Sequence, residues 1–289
     1  MANRVLLIGR GQVGSGLLEV LQENYEVINW QGDIANVTIK DLQTYDPIAV
    51  INAAGKTDLA WCEAYPHETF RSNVEAPFDL YKLILSFNKG RNANVKYIHC
   101  SSGCVWDGPY DEEGNPFTPE SPVSPAAFYS WTKASCDAML LTAEPLSVAV
   151  LRPRQVYSAK PSSRNSLIKL LKYPNLIDTP NSMSSLEVIG KTVLHLLEAQ
   201  EDWSGIWNIY DKGVTTPYKI GLMLHEAGLR SAPNVIQKSE LDQWHKPRRV
   251  DTVLYDSRFE KYIAPRSIEE VLTETISALK TTLEPTLIT

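Results

Sequence analysis

Two pairs of side chains near the middle of the chain carry the groups needed to hold a carbonyl and move protons. Ser102 and Cys104 stand two apart in SSGCVWDG, after a strand-like apolar run at residues 95–100, and Tyr129 and Lys133 stand four apart in FYSWTKA. In extended backbone, side chains at i and i+2 leave the same face, so the hydroxyl and the thiol would reach one ligand if the strand continues through Gly103. On a helix, i and i+4 are neighbours. A phenol of pKa about 10 exchanges protons poorly at neutral pH until a nearby ammonium lowers it, and Lys133 is the expected ammonium. Ser102 would then hold a carbonyl oxygen while Tyr129 protonates it. Each residue also has a plainer reading: a core-edge tyrosine, a solvated lysine, a small buried thiol at a strand end.

The elements that must position these groups follow a regular rhythm. Apolar runs of strand length, RVLLIG, YEVINW, IAVINAAG, VKYIHCSS, LSVAVLRP and GIWNIY, alternate with helix-length segments such as residues 15–23 and 76–87. That alternation predicts βαβ units and an α/β fold, a Rossmann-type doubly wound parallel sheet with a smaller substrate-binding domain. Five prolines between Pro109 and Pro125 predict an irregular loop beside the site. The pattern changes after LRPRQVY, while the stretch 184–210 reads as a helix and strand returning to the sheet. The expected division is 1–157 with 183–214 for the cofactor domain, and 158–182 with 215–289 for the substrate domain.

Between the first strand and first helix the chain reads Gly9, Arg10, Gly11, Gln12, Val13, Gly14. In that context GxGxxG predicts dinucleotide binding: Gly9 for the tight turn, Gly11 for close approach of a pyrophosphate, Gly14 for helix-on-strand packing. The second strand ends in Asn29, Trp30 and Gln31 where an NAD-preferring fold usually offers an acid to the ribose. With Arg10 available to a 2′-phosphate, NADPH is expected to be preferred and NADH to remain usable. Asp33 and Ile34, just beyond, stay cofactor-side candidates, and a solvated surface role for Arg10 stays open.

With 28 basic against 34 acidic residues and a formal charge of -6, the chain offers no broad positive field, so nucleic acid and anionic membranes are not expected partners. No membrane-length apolar stretch or leader is read, and the four cysteines form no CxxC pair; reduced thiols in a cytoplasm are the expectation. His99, Cys100 and Cys104 lack the second ligand pair of a zinc site, so no metal is expected. Arg164 and Asn165, and Arg248 and Arg249 after Pro247, could meet a diphosphate, since the guanidinium fork bonds phosphate oxygens in pairs.

The ordered set GQVG, INAAGKTD, SSGCVWDG and FYSWTKA resembles the extended short-chain dehydrogenase/reductases, and within them the nucleotide-sugar 4-ketoreductases related to dTDP-4-dehydrorhamnose reductase. NAAGKTDLAWCE, ETFRSNV, GCVWD, the block at residues 151–183 and KPRR resemble the bifunctional UDP-4-keto-6-deoxy-D-glucose 3,5-epimerase/4-reductases that make UDP-L-rhamnose. The chain departs from the extended members in a glycine motif one residue shorter and in Ser102 where threonine is frequent. The resemblance implies Ser102, Tyr129 and Lys133 as a reductase triad, Lys133 also bonding the nicotinamide ribose. It also implies Cys104 and Lys169 as a proton-transferring pair, Ala53, Ala54 and Gly55 along the cofactor, a UDP-sugar substrate, and compatibility with a homodimer. A 4-ketone acidifies the hydrogens on C3 and C5, so a base and an acid added to a reductase suffice for epimerisation. Two rivals remain: a dTDP-4-dehydrorhamnose reductase without epimerase activity, and a non-catalytic nucleotide-binding regulatory subunit like that of methionine adenosyltransferase.

Overall fold

The computed structural model describes residues 3–91, 94–143, 147–244 and 246–287, with side chains described up to residue 283. Six strands form one sheet: β1 (Arg4–Ile8), β2 (Glu26–Trp30), β3 (Ala49–Asn52), β4 (Lys96–Cys100), β5 (Val148–Pro153) and β7 (Gly205–Ile209). Their order is β2-β1-β3-β4-β5-β7 and every pairing is parallel. Two short strands, β6 (Asn175–Ile177) and β8 (Asn234–Ile236), pair in parallel in a second sheet.

The strands are continuously apolar because both faces of the large sheet are covered. Val5, Leu7, Ala49, Ile51, Ile98 and Leu151 pack on one face with Leu17 and Leu21 of the helix Gln12–Leu21 and with Val193 and Leu196 of the helix Leu186–Glu198. Their sheet neighbours Leu6, Ile8, Val50, Tyr97 and Val150 pack on the other with Tyr81 and Ile84 of Ala76–Arg91 and Leu140 of Phe128–Ala143. This is the doubly wound Rossmann-type arrangement. A third cluster, with Leu167, Ile220, Leu224, Leu272 and Leu279, supports the small sheet.

From β1 the chain crosses to β2 on one side, while β3 pairs on the other. A crevice therefore opens between the carboxyl ends of β1 and β3, where such folds bind ligands. The first helix starts at Gln12, earlier than residue 15, because extended backbone at Gly11 (φ -78°, ψ -170°) ends the turn there. Residues 109–127 hold no helix or strand, and one bridge, Phe117 to Leu254, ties them down.

Candidate active site

The three turn glycines meet different surroundings. Gly9 has φ +108°, and a Cβ there would lie 2.5 Å from backbone atoms of Ala53 and Ala54; at Gly14 it would lie 1.9 Å from the Gly9 carbonyl oxygen. Both are demanded by backbone packing on backbone. Gly11 is not: its φ suits any residue, and a Cβ would meet only the Arg164 guanidinium, at 2.7 Å. Gly11, Gln12, Val13, Ala53, Ala54 and Gly55 line one cleft. Its floor is braced by Asn52, whose Oδ1 accepts from Ala54 N at 3.0 Å, and by Asn73, whose Oδ1 accepts from Lys56 N at 2.8 Å. Asn73 also donates to Lys56 O at 2.9 Å and to Thr132 Oγ1 at 3.3 Å, joining the loop after β3 to the helix that carries Tyr129.

At the end of β2, Arg10 Nη1 donates to Gln31 Oε1 at 3.1 Å, which holds the guanidinium beside the segment lacking an acid. Asp33 is exposed and caps the short turn Ile34–Asn36 by accepting from Ala35 N at 2.9 Å. The Ile34 side chain is buried in the core between the sheet and its helices, so its side chain does not face the cleft.

Ser102, Cys104, Tyr129, Lys133 and Lys169 line the same cleft as the glycine turn. The strand does not carry Ser102 and Cys104 there. β4 ends at Cys100, and Ser102 caps a 3-10 turn, Gly103–Val105, its Oγ accepting from Cys104 N at 3.1 Å. The alternation expected of an extended chain is thus replaced by a capped turn, which still brings hydroxyl and thiol to one wall.

Lys133, 3% exposed, donates to Cys100 O at 2.8 Å and lies 3.4 Å from His99 Nε2. His99 is fully buried between Lys133 and Asn52, whose Nδ2 is 3.1 Å from its Nδ1; burial first, and the Lys133 charge second, hold the imidazole well below its ordinary pKa and keep it neutral. Around the Tyr129 phenol, burial outweighs the nearby cations. Burial raises the Tyr129 pKa above its ordinary value and the Cys104 charge adds to the rise, opposed by a hydrogen bond from Ser102 and by Arg154. A phenol raised by burial keeps its proton at neutral pH, which suits a donor.

Arg154, the residue after β5, is the charged group the sequence reading passed over. Its Nη1 donates to Cys104 Sγ at 3.2 Å, its Nη2 to Val250 O, and its backbone N to Ser184 Oγ at 2.7 Å, leaving the side chain 3% exposed. The available signal was its place: carboxyl ends of strands are where ligands bind in this architecture. Lys169, on Ser166–Leu170, is pushed below the ordinary lysine pKa by burial first and then by Arg249; Cys104 is among the groups acting against that shift.

The four polar residues expected to meet a diphosphate part company. Arg248 and Arg249 line the cleft; Arg248 pairs with Asp107 Oδ2 at 3.0 Å and Asp242 Oδ2 at 3.5 Å. Arg164 lies over Gly11. Asn165 is fully buried: its Nδ2 donates to Ser158 O and Lys160 O at 2.7 and 2.8 Å and its Oδ1 caps the following helix, so its polar atoms brace the chain instead of facing the cleft. A second cavity, lined by Met183, Ile177, Ile220, Asn181 and Asp251, adjoins the first through Gln155, Ser166, Lys169 and Arg249. Gln155 holds φ 45°, a conformation rare outside glycine, at that junction.

A glycine turn packed on β3 and a buried lysine and tyrosine facing it define a dinucleotide-binding fold equipped for carbonyl chemistry. Residues 5–174 match the model of the NAD dependent epimerase/dehydratase family, and the chain belongs to it. It is 29% identical over 193 residues to a bifunctional dTDP-4-dehydrorhamnose 3,5-epimerase/dTDP-4-dehydrorhamnose reductase of Arabidopsis thaliana, a match covering 63% of this chain and 60% of that relative. In fold it is similar to the L780 UDP-rhamnose synthase of Acanthamoeba polyphaga mimivirus (TM-score 0.85, 18% identity, 95% of this chain and 99% of that one). It is also similar to a dTDP-4-dehydrorhamnose reductase of Bacillus anthracis solved with NADP (TM-score 0.78, 16% identity, 95% and 99%). No helix among the described residues is long and apolar enough to cross a membrane.

Proposed function

We propose that the protein converts UDP-4-keto-6-deoxy-D-glucose to UDP-L-rhamnose, epimerising C3 and C5 and then reducing C4 with NADPH. The observation that carries this reading is the meeting of Ser102, Cys104, Tyr129, Lys133 and Lys169 in one cleft with the glycine turn. The residues fit a nicotinamide dinucleotide: Gly11 leaves space over the turn, and Lys133 has a third ammonium hydrogen beyond its two protein partners for a ribose hydroxyl. When bound, the dinucleotide supplies a hydride to C4.

The chain's own residues supply the rest. Ser102 and Tyr129 hold the ketone oxygen, and the buried phenol transfers its proton to that oxygen as C4 becomes an alcohol. Before reduction, the same two groups stabilise the enolate left when a proton leaves C3 or C5. Cys104 and Lys169 serve these carbon-bound protons, one removing a proton and the other returning one to the opposite face. Arg154 fixes the sulfur, and Arg248 and Arg249 meet the diphosphate. NADPH is preferred because Arg10 stands at the end of a β2 that offers no acid. The matched relative and the similar folds support this chemistry by what those proteins are named for, on both a UDP and a dTDP carrier.

Incubation of the purified protein with UDP-4-keto-6-deoxy-D-glucose and NADPH, followed by NMR of the product, tests the proposal. The expected product is UDP-L-rhamnose, with no second enzyme added. Recovery of a sugar with C3 and C5 unchanged would reduce the assignment to a plain reductase.

A further inference from the structure

Three cations surround the glycine turn, and two of them have partners. Arg10 is bonded to Gln31 and Lys160 to Glu19. The third, Arg164, has neither an ion pair nor a hydrogen bond on its guanidinium among the described residues; its only hydrogen bond runs from its backbone N to Ser162 Oγ at 3.3 Å. That free guanidinium sits over Gly11, its Nη1 2.7 Å from where a Cβ would be. Arg164 lines both the main cleft and a groove on the outer side of the turn, with Arg10, Ser15, Ser158 and Ser162.

The glycines show what the space at Gly11 is for. Gly9 and Gly14 are fixed by the protein's own backbone, while a side chain at position 11 would displace only a flexible arginine tip. A glycine there leaves room for a ligand, and the one group reaching into that room is an unpaired cation. The Asn165 anchor sets the arginine's origin: held by Ser158 and Lys160 carbonyls, it fixes the loop so that residue 164 projects across the turn.

We infer that Arg164 clamps the pyrophosphate of the bound dinucleotide from the side opposite the turn, and so belongs to the cofactor site, not to the diphosphate of the sugar substrate. The inference rests on the dinucleotide part of the proposed function and not on the sugar. A guanidinium presents paired donors to phosphate oxygens, which a lysine replaces only in part. Since NADH and NADPH share the pyrophosphate, Arg164 acts on both alike, whereas Arg10 separates them.

Binding of NADPH, NADH and UDP to the full chain and to Arg164→Gln, each followed by fluorescence or calorimetric titration, tests this. Loss of a charge-assisted phosphate contact weakens both cofactors by roughly tenfold to a hundredfold. UDP affinity stays within about twofold, and Arg164→Lys recovers part of the loss. The exposed position makes the variant's folding easy to verify by its unchanged thermal midpoint. Weakening of NADPH alone, of UDP alone, of all three equally, or of none would overturn the assignment. Failure of the wild type to bind either cofactor would overturn the functional reading as well, while failure to bind UDP would leave the Arg164 result standing and remove only the sugar carrier.

Discussion

The two walls of the cleft are built on different principles. On the sheet side Ser102, Tyr129 and Lys133 are 6%, 8% and 3% exposed; Lys133 lies against His99, which contacts Asn52, and Asn73 ties the helix of Tyr129 to the loop after β3 through Thr132. On the opposite side Arg164, Arg248 and Arg249 hold exposed side chains on loops, with Arg248 paired to Asp107 and Asp242 at 3.0 and 3.5 Å. Buried, mutually bonded groups cannot relax when a ligand arrives, which suits charge development at one atom. Long exposed cations can move to follow a flexible diphosphate at little cost. The difference teaches that Ser102 and Tyr129 substitutions should act on rate, those of the three arginines on affinity, and those of Lys133 on both.

The largest effect expected is at Tyr129. Tyr129→Phe removes the proton donor while keeping the ring, so steady-state C4 reduction falls by about 10² to 10⁴-fold and NADPH affinity, measured by titration, changes little. Lys133→Met should lower both, because the lysine is proposed to bond the nicotinamide ribose and also lies against His99. A Tyr129→Phe protein that keeps its rate would erase the distinction between the walls. Arg10→Ala comes next: the preference for NADPH over NADH should shrink by roughly tenfold to a hundredfold, read from the two dissociation constants. Equal binding of both cofactors by the wild type would contradict the placement of Arg10.

The last effect, on stability and not on activity, lies at the edge of the second cavity. Burial pushes the Asp251 carboxyl up to about 6, partly opposed by Arg154. An acid whose folded pKa is raised binds its proton more tightly when folded, so its penalty is absent below the unfolded value of about 3.9, grows as pH rises, and is complete above about 6. Asp251→Asn should therefore flatten the pH dependence of unfolding free energy between about pH 4 and 6, by at most about 3 kcal/mol. Denaturant unfolding at several pH values measures it, and an unchanged slope would show that the carboxyl is not strained by burial.

How much of this was legible in the sequence depended on whether a residue's role is local. Gly9 and Gly14 could be read because a tight turn and a close helix impose themselves on the residue type in place. The strands could be read because burial on both faces makes them apolar throughout. Ser102 and Cys104 share a wall of the cleft through a capped 3-10 turn, not through the extended strand that i, i+2 spacing assumes. Tyr129 and Lys133 were placed on one helix, but the lysine's commitment to His99 and Cys100 depends on β4, which spacing along a helix does not reveal. Arg154 reaches Cys104, and Asn73 reaches Thr132, across 50 and 59 residues of chain, and beyond Arg154's place after a strand no local spacing marks those contacts. Asn165 shows the converse: a residue polar enough to bind a ligand is fully used in holding its own loop.

The assignment of Cys104 to carbon-bound protons is the step that separates this account from a plain reductase. It is decided by incubating the protein with UDP-4-keto-6-deoxy-D-glucose in heavy water without NADPH and following deuterium at C3 and C5 by NMR. Wild type should exchange at both positions, and Cys104→Ala should slow exchange by about 10² to 10⁴-fold while still reducing an already epimerised 4-keto sugar when NADPH is supplied. Exchange no faster than the uncatalysed background in the wild type, or undiminished exchange in a folded Cys104→Ala protein, would contradict it.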